Sequence, residues 1–227
     1  MKSISFEIPK KFINSISAKP GSEYPYYWHI NIPLLPAFSV THFSIQVDAQ
    51  VTFSTRNDRI QGDYLIVESE SSSRVLNSIL RENENVIVVL YYHGIREYSL
   101  LFPWITDIAL RDRIGLFYEE ADKSFETESW LSLALMCGGV FEGMLYGLLQ
   151  PSTNNHTFSK MLNLAKESGI LTNNQFAIMD RIRELRNLVH GNKYNSSYIS
   201  RREAMDIRAT LDQIIKDVSL LKSTVSS

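Results

Sequence analysis

The sequence predicts an α+β protein: a β-rich first domain over residues 1–112, then an all-α helical bundle over residues 113–227. Three observations predict it. Before Pro103 the apolar runs are short and dense in β-branched and aromatic residues, the composition of strands. Beyond it, apolar residues recur at three- and four-residue spacing, the period of helices packed on one face. No low-complexity linker separates the two patterns, so the join near residues 103–115 is short.

Ser3–Ile8 alternates and predicts the first strand. Tyr26–Ile32 and His42–Phe53 predict two more, and Asp63–Glu68 continues the pattern. Asn85–Tyr92 is an unbroken apolar run and predicts a strand buried on both faces. His93-Gly94 then predicts a tight turn, with Ile95–Phe102 returning as a hairpin partner. Between them, Ser71–Leu80 predicts a short helix with Val75, Leu76 and Leu80 on one side.

In the second half, Asp107–Thr127 has helical spacing, and Thr127 is expected to cap a helix from Glu128 to Leu149. Pro151–Asn155 reads as a loop. Thr157 caps Phe158–Glu167, which Gly169 stops. Thr172 or Asn173 caps a helix running to His190, with Gly191 at its C′ position. Ser200-Arg-Arg-Glu203 is a capping box. It opens a last helix whose Ile207, Leu211, Ile214, Ile215, Val218 and Leu221 mark a buried face.

Bulk properties exclude several classes. Hydrophobic residues are 44% of 227, above a disordered composition. The net charge of −2 gives no global pull toward nucleic acid, so any anion site is local. The lone Cys137 has apolar or small neighbours and reads as a packing thiol in a reducing compartment. The N-terminus lacks the apolar core of a signal peptide. Trp130–Leu149 has the length of a membrane span but holds Glu142 and three glycines, so it reads as a buried central helix of a cytoplasmic protein.

The chemistry-bearing pattern lies in residues 176–190. At about 100° per residue, Ile178, Ile182, Leu185 and Val189 share a core arc, and Arg183, Arg186, Asn187 and His190 share an adjacent arc of about 100°. Two guanidiniums, an amide and an imidazole then form one stripe. RNA carries its own nucleophile, the 2′-hydroxyl. Cleavage beside it needs a group that moves protons near neutral pH, which histidine supplies. It also needs fixed positive charge on the phosphate, which arginine supplies. The plain alternative is structural, because cations suit helix C-termini and a histidine before a C′ glycine can cap the last carbonyls.

Leu185-Arg186-Asn187-Leu188-Val189-His190-Gly191 resembles the LRN…HG signature of the HEPN superfamily, and the segment Val140–Leu149 resembles the helix preceding that motif in its DUF4145-like branch. The likeness covers residues 113–222 and leaves residues 1–112 unassigned. It implies a metal-independent endoribonuclease leaving 2′,3′-cyclic phosphate ends, a toxin or abortive-infection effector in antiviral defence. It implies a homodimer through the helical domain, with no cofactor, no metal and no membrane. An antitoxin or trigger protein is the kind of partner it implies. In the family motif four to six residues stand between the arginine and the histidine, a spacing that Arg183 fits and Arg186 does not. Arg183 leaves six residues before His190 and Arg186 leaves three; both are carried as catalytic candidates with Asn187 and His190. Glu142 is a supporting candidate that can hold an arginine of the motif helix, or a core carboxylate bonded to backbone.

Residues 180–203 carry six basic and three acidic side chains, a local +3 on an acidic chain. Arg181, Lys193, Arg201 and Arg202 are therefore RNA-contact candidates, though the last two can equally be solvated first-turn residues. In the β-rich half, Tyr24, Tyr26, Tyr27, Trp28 and His29 cluster, as do Tyr91, Tyr92 and His93. Such rings stack ligands or simply pack strands. His29, His42 and His93 lack metal-ligand spacing. The competing reading of the whole chain is a non-catalytic dimerising module with a ligand- or protein-binding β domain.

Overall fold

The computed structural model describes residues 1–17, 26–47, 50–69, 73–74, 76–77, 85–150, 157–193 and 195–223. The architecture is α+β; the described residues form two antiparallel sheets in the first part and five α-helices in the second. The chain divides into compact units at Glu97/Tyr98. That point precedes the expected join because Tyr98–Leu101, a 3₁₀ turn, belongs to the helical unit. Tyr98 and Phe102 both lay their rings against Tyr118.

Among the described residues the first unit has eight strands: β1 (Lys2–Pro9), β2 (Ile13–Ser17), β3 (Tyr26–Asn31), β4 (Phe38–Val47), β5 (Gln50–Phe53), β6 (Arg59–Gln61), β7 (Tyr64–Val67) and β8 (Asn85–Ile95). One sheet has the order β1-β8-β4-β5 and the other β2-β3-β7-β6. In the first sheet, Phe6, Val88, Ile45 and Thr52 lie in register across all four strands and are all buried. The next row, Glu7, Ile87, Gln46 and Val51, points to the other face. There Ile87 is 45% exposed.

Three expectations change here. The segment His42–Phe53 is two strands, because β5 turns back on β4 with Val47 opposite Gln50; the break, residues 48–49, lies outside the described residues. A period of two continues unchanged across a two-residue connection, so alternation cannot distinguish one long strand from a hairpin. The strand β8 is buried on one face only, although its composition is apolar on both. It also runs straight through His93 and Gly94 to Ile95, with register shifts against β4 in that stretch, so no hairpin follows. A glycine inside a strand commonly marks such an irregularity rather than a turn. Of the expected helix at 71–80, residues 73–74 and 76–77 are helical and Leu76 is fully buried, while Val75 and Leu80 lie outside the described residues.

The second unit holds α1 (Ile108–Glu126), α2 (Trp130–Leu149), α3 (Phe158–Glu167), α4 (Asn173–Leu185) and α5 (Arg201–Ser223). Asp107, Thr157 and Thr172 cap α1, α3 and α4 by accepting from backbone N–H groups. Thr172 forms a reciprocal box with Gln175, and Ser200 forms one with Glu203. Gly169 takes a left-handed φ of +71° after α3. Thr127 ends α1 instead of starting α2, donating its hydroxyl to the Lys123 carbonyl. Glu128, at φ +56°, separates the two helices. Residues 151–155, the expected loop, lie outside the described residues.

Trp130–Leu149 is long and apolar enough to cross a membrane by length and composition. It is also the central helix of this unit, packed against α1, α3, α4 and α5, with Leu133, Cys137, Phe141, Met144 and Leu145 buried. The face of α5 expected to be buried is buried from Ile207 to Val218, while Leu221 is exposed.

Candidate functional site

The helix that carries the motif is shorter than its sequence suggests. α4 ends at Leu185, and Arg186–Val189 continues as a 3₁₀ turn. His190 is extended, at φ −80° and ψ 130°, and Gly191–Lys193 forms another 3₁₀ turn. Gly191 thus opens a second 3₁₀ turn instead of standing at the C′ position of α4. The tighter turn advances about 120° per residue, so the helical wheel that put Asn187 and His190 on one stripe with the arginines ends at Arg186. Wheel geometry holds only while the i→i−4 bonding holds. The His190 N–H donates to the Asn187 carbonyl at 3.1 Å, and its own carbonyl accepts from Lys193 N–H at 2.9 Å.

The exposed His190 side chain has no hydrogen bond or ion pair among the described residues. It therefore does not cap the last carbonyls of α4. Asn187 is exposed as well. The two arginines differ. Arg183 pairs through Nε with Asp180 on its own helix at 2.7 Å, and that hydrogen bond raises its pKa against a small desolvation cost. Arg186 reaches across to α2, where its Nη1 donates to Glu142 Oε2 at 2.7 Å. Its guanidinium carbon lies 5.9 Å from the centre of the Phe158 ring. Its stem runs over Gly138, where an added Cβ would stand 3.1 Å from Cδ of Arg186. Glu142 thus meets a motif arginine, and the alternative of a buried backbone-bonded carboxylate does not describe it: its side chain is 37% exposed.

The peripheral cations separate too. Arg181 bridges Glu184 and Glu203 at 3.3 and 3.2 Å, tying α4 to the cap of α5. Lys193, Arg201 and Arg202 are exposed and make no ion pair among the described residues. In the β-rich unit, His29 contacts Tyr27 and Tyr64, and His42 stacks on Tyr91 with centroids 4.3 Å apart. Burial, helped by Arg59, lowers the pKa of His29. Tyr24 lies outside the described residues. Among the described residues no three His, Cys, Asp or Glu side chains are grouped to hold a metal ion.

Sequence reasoning missed the most heavily buried ionic cluster among the described residues. Arg208 of α5 pairs with Asp122 of α1 at 3.1 Å and with Asp212 at 3.2 Å, and donates to the Tyr118 hydroxyl. Tyr98 donates to Asp122 as well. Burial opposes the Arg208 charge, yet Tyr118, Asp212 and Asp122 outweigh it and hold its pKa above the ordinary value. The available signal was an Arg and an Asp four apart beside an apolar helix face.

No family model, curated protein or solved structure matches the chain.

Proposed function

We propose that the helical unit is a HEPN-type endoribonuclease that cleaves RNA without a metal ion, acting as a homodimer and as a cytoplasmic toxin or abortive-infection effector. One observation supports this reading best. Arg186 is pinned to Glu142 from another helix, while His190, four residues on, is exposed and has no side-chain partner among the described residues. A held cation and an accessible imidazole within one short stretch of chain are the two groups that attack by a 2′-hydroxyl requires.

In this reading His190 takes the proton from the 2′-hydroxyl, or returns one to the departing 5′-oxygen. The 2′-oxygen bonds to phosphorus and the P–O5′ bond breaks, leaving a 2′,3′-cyclic phosphate and a 5′-hydroxyl. Arginine donors stabilise the charge gathered on the phosphate oxygens in the transition state. Asn187 orients phosphate or imidazole. Lys193, Arg201 and Arg202 lie on the strand's approach.

The test is cleavage of end-labelled RNA in EDTA by wild type and by His190→Ala. Cyclic-phosphate products with wild type, absent with the variant, are the expected result. His190→Ala changes folding stability by less than about 0.5 kcal/mol, because an exposed, unpartnered side chain is removed. Intact RNA with wild type, in a stable dimer, would instead make the helical unit a non-catalytic dimerising module.

A further inference from the structure

We propose that Arg186, rather than Arg183, holds the scissile phosphate, and that Gly138 and Phe158 are the positioning residues that seat it; this rests on the nuclease reading above. The seat has three sides. Gly138 and Glu142 stand four apart on α2, so they face the same way one turn apart. The glycine leaves a gap that the Arg186 stem fills: a Cβ there would come within 3.1 Å of both Arg186 Cδ and Ile182 Cγ2. That is closer than a neighbour tolerates without moving. Glu142 takes one N–H of the guanidinium at 2.7 Å. Phe158, itself buried, presents its ring 5.9 Å from Cζ.

Stem, head and ring face are thus all constrained, and little side-chain freedom remains to be lost when an anion arrives. The guanidinium keeps its other donors. An arginine has five N–H groups, and Nε and Nη2 of Arg186 have no partner among the described residues. The side chain is 39% exposed, so those donors are reachable. Glu142 offsets part of the charge but occupies only Nη1, so the remaining donors can still take a phosphate in the ground state. Donor geometry counts most when charge builds on the phosphate oxygens, so the seat acts on kcat more than on KM.

Arg183 has none of this. Its Nε is bound to Asp180 one turn back on the same helix, and no other element contributes a hydrogen bond or ion pair to it among the described residues. The Arg183–Asp180 pair is as short and as exposed as Arg186–Glu142, so what separates the two arginines is the packing that Gly138 and Phe158 add around Arg186.

The test combines cleavage kinetics with side-chain Nε–Hε NMR of the full chain, using inorganic phosphate as the probe. Phosphate is expected to move the Arg186 signal, and Gly138→Ala to abolish that response. In kinetics, Arg186→Ala lowers kcat by about 10²–10³, the effect of losing a transition-state donor. Gly138→Ala lowers kcat by about tenfold with KM within about twofold, since it displaces the arginine without removing it. Glu142→Gln, which keeps the hydrogen bond, retains more activity than Glu142→Ala. Arg183→Ala costs less than about tenfold, as loss of a screened surface pair. If Gly138→Ala does not fold, Phe158→Leu takes its place in both measurements. A phosphate response at Arg183 or at neither arginine would overturn the proposal. So would wild-type kcat and an intact Arg186 response in both Gly138→Ala and Phe158→Leu. If wild type cuts no RNA, the nuclease reading falls by itself. The titration then still decides the seat, since a response at Arg186 keeps it as a phosphate site and silence removes it.

Discussion

Arg208 of α5 and Asp122 of α1 meet at 3.1 Å with only 14% and 13% of their side chains exposed. Tyr118 and Asp212 also bond the guanidinium, whose Nη1 is buried with no hydrogen-bond partner among the described residues. Removing one member of such a group leaves its partner charged and dry. Arg208→Met keeps the apolar stem but strands Asp122, so we expect a loss of about 3–5 kcal/mol in urea denaturation. Adding Asp122→Leu removes the stranded charge and is expected to recover part of that loss. Wild-type stability in the single variant would show that the cluster is not a clamp between α1 and α5.

Gly115 sits where α1 passes the backbone of Ser99. A Cβ there would stand 2.8 Å from the Ser99 nitrogen and 3.0 Å from its Cα. Backbone cannot swing aside as a side chain can, so Gly115→Ala is expected to cost about 1–3 kcal/mol by overpacking. Gly94→Ala is the control. Its Cβ meets open space, and the change in stability stays within about 0.5 kcal/mol. Thermal unfolding of the two variants compares them directly.

Burial pushes the Cys137 thiol up to about 12. The thiolate is the reactive form, so the residue is expected to be inert to an aromatic disulfide reagent at neutral pH in the native protein. It reacts at once in denaturant. Rapid labelling of the folded protein would show that α2 opens more readily than its central position suggests.

Glu203 gives a pH dependence of known sign. The Ser200 backbone N–H lowers its pKa below 4.5, and the Ser200 hydroxyl and Arg181 add to this against a burial penalty. A carboxyl whose folded pKa is depressed stabilises the fold above its unfolded value, and that contribution is lost as pH falls through the folded one. Glu203→Ala is therefore expected to cost about 1 kcal/mol at pH 7, the worth of a helix cap. The gap to wild type narrows below pH 4.5. A constant gap across acid pH would assign the effect to packing instead.

Local chemistry was legible in the sequence wherever it acts over one turn. Thr157, Thr172 and Ser200 cap the helices their spacing indicates, and the face of α5 from Ile207 to Val218 is buried as its period requires. These signals survive because a cap and its N–H groups, or two residues three or four apart, meet before any distant element arrives. The α+β division was legible for the same reason, since periods of two and of about 3.6 are written locally.

The tertiary structure decided the rest. Whether β8 has one covered face or two depends on what packs against its sheet, which composition does not encode. Whether α4 reaches His190 depends on a few backbone bonds that tighten into a 3₁₀ turn after Leu185. The sequence by itself determined that Arg183, Arg186, Asn187 and His190 come within eight residues of one another. It could not tell the two arginines apart, because helical spacing puts both near one stripe. Only the approach of α2 and α3 separates them: Gly138, Glu142 and Phe158 come from outside the motif and touch Arg186.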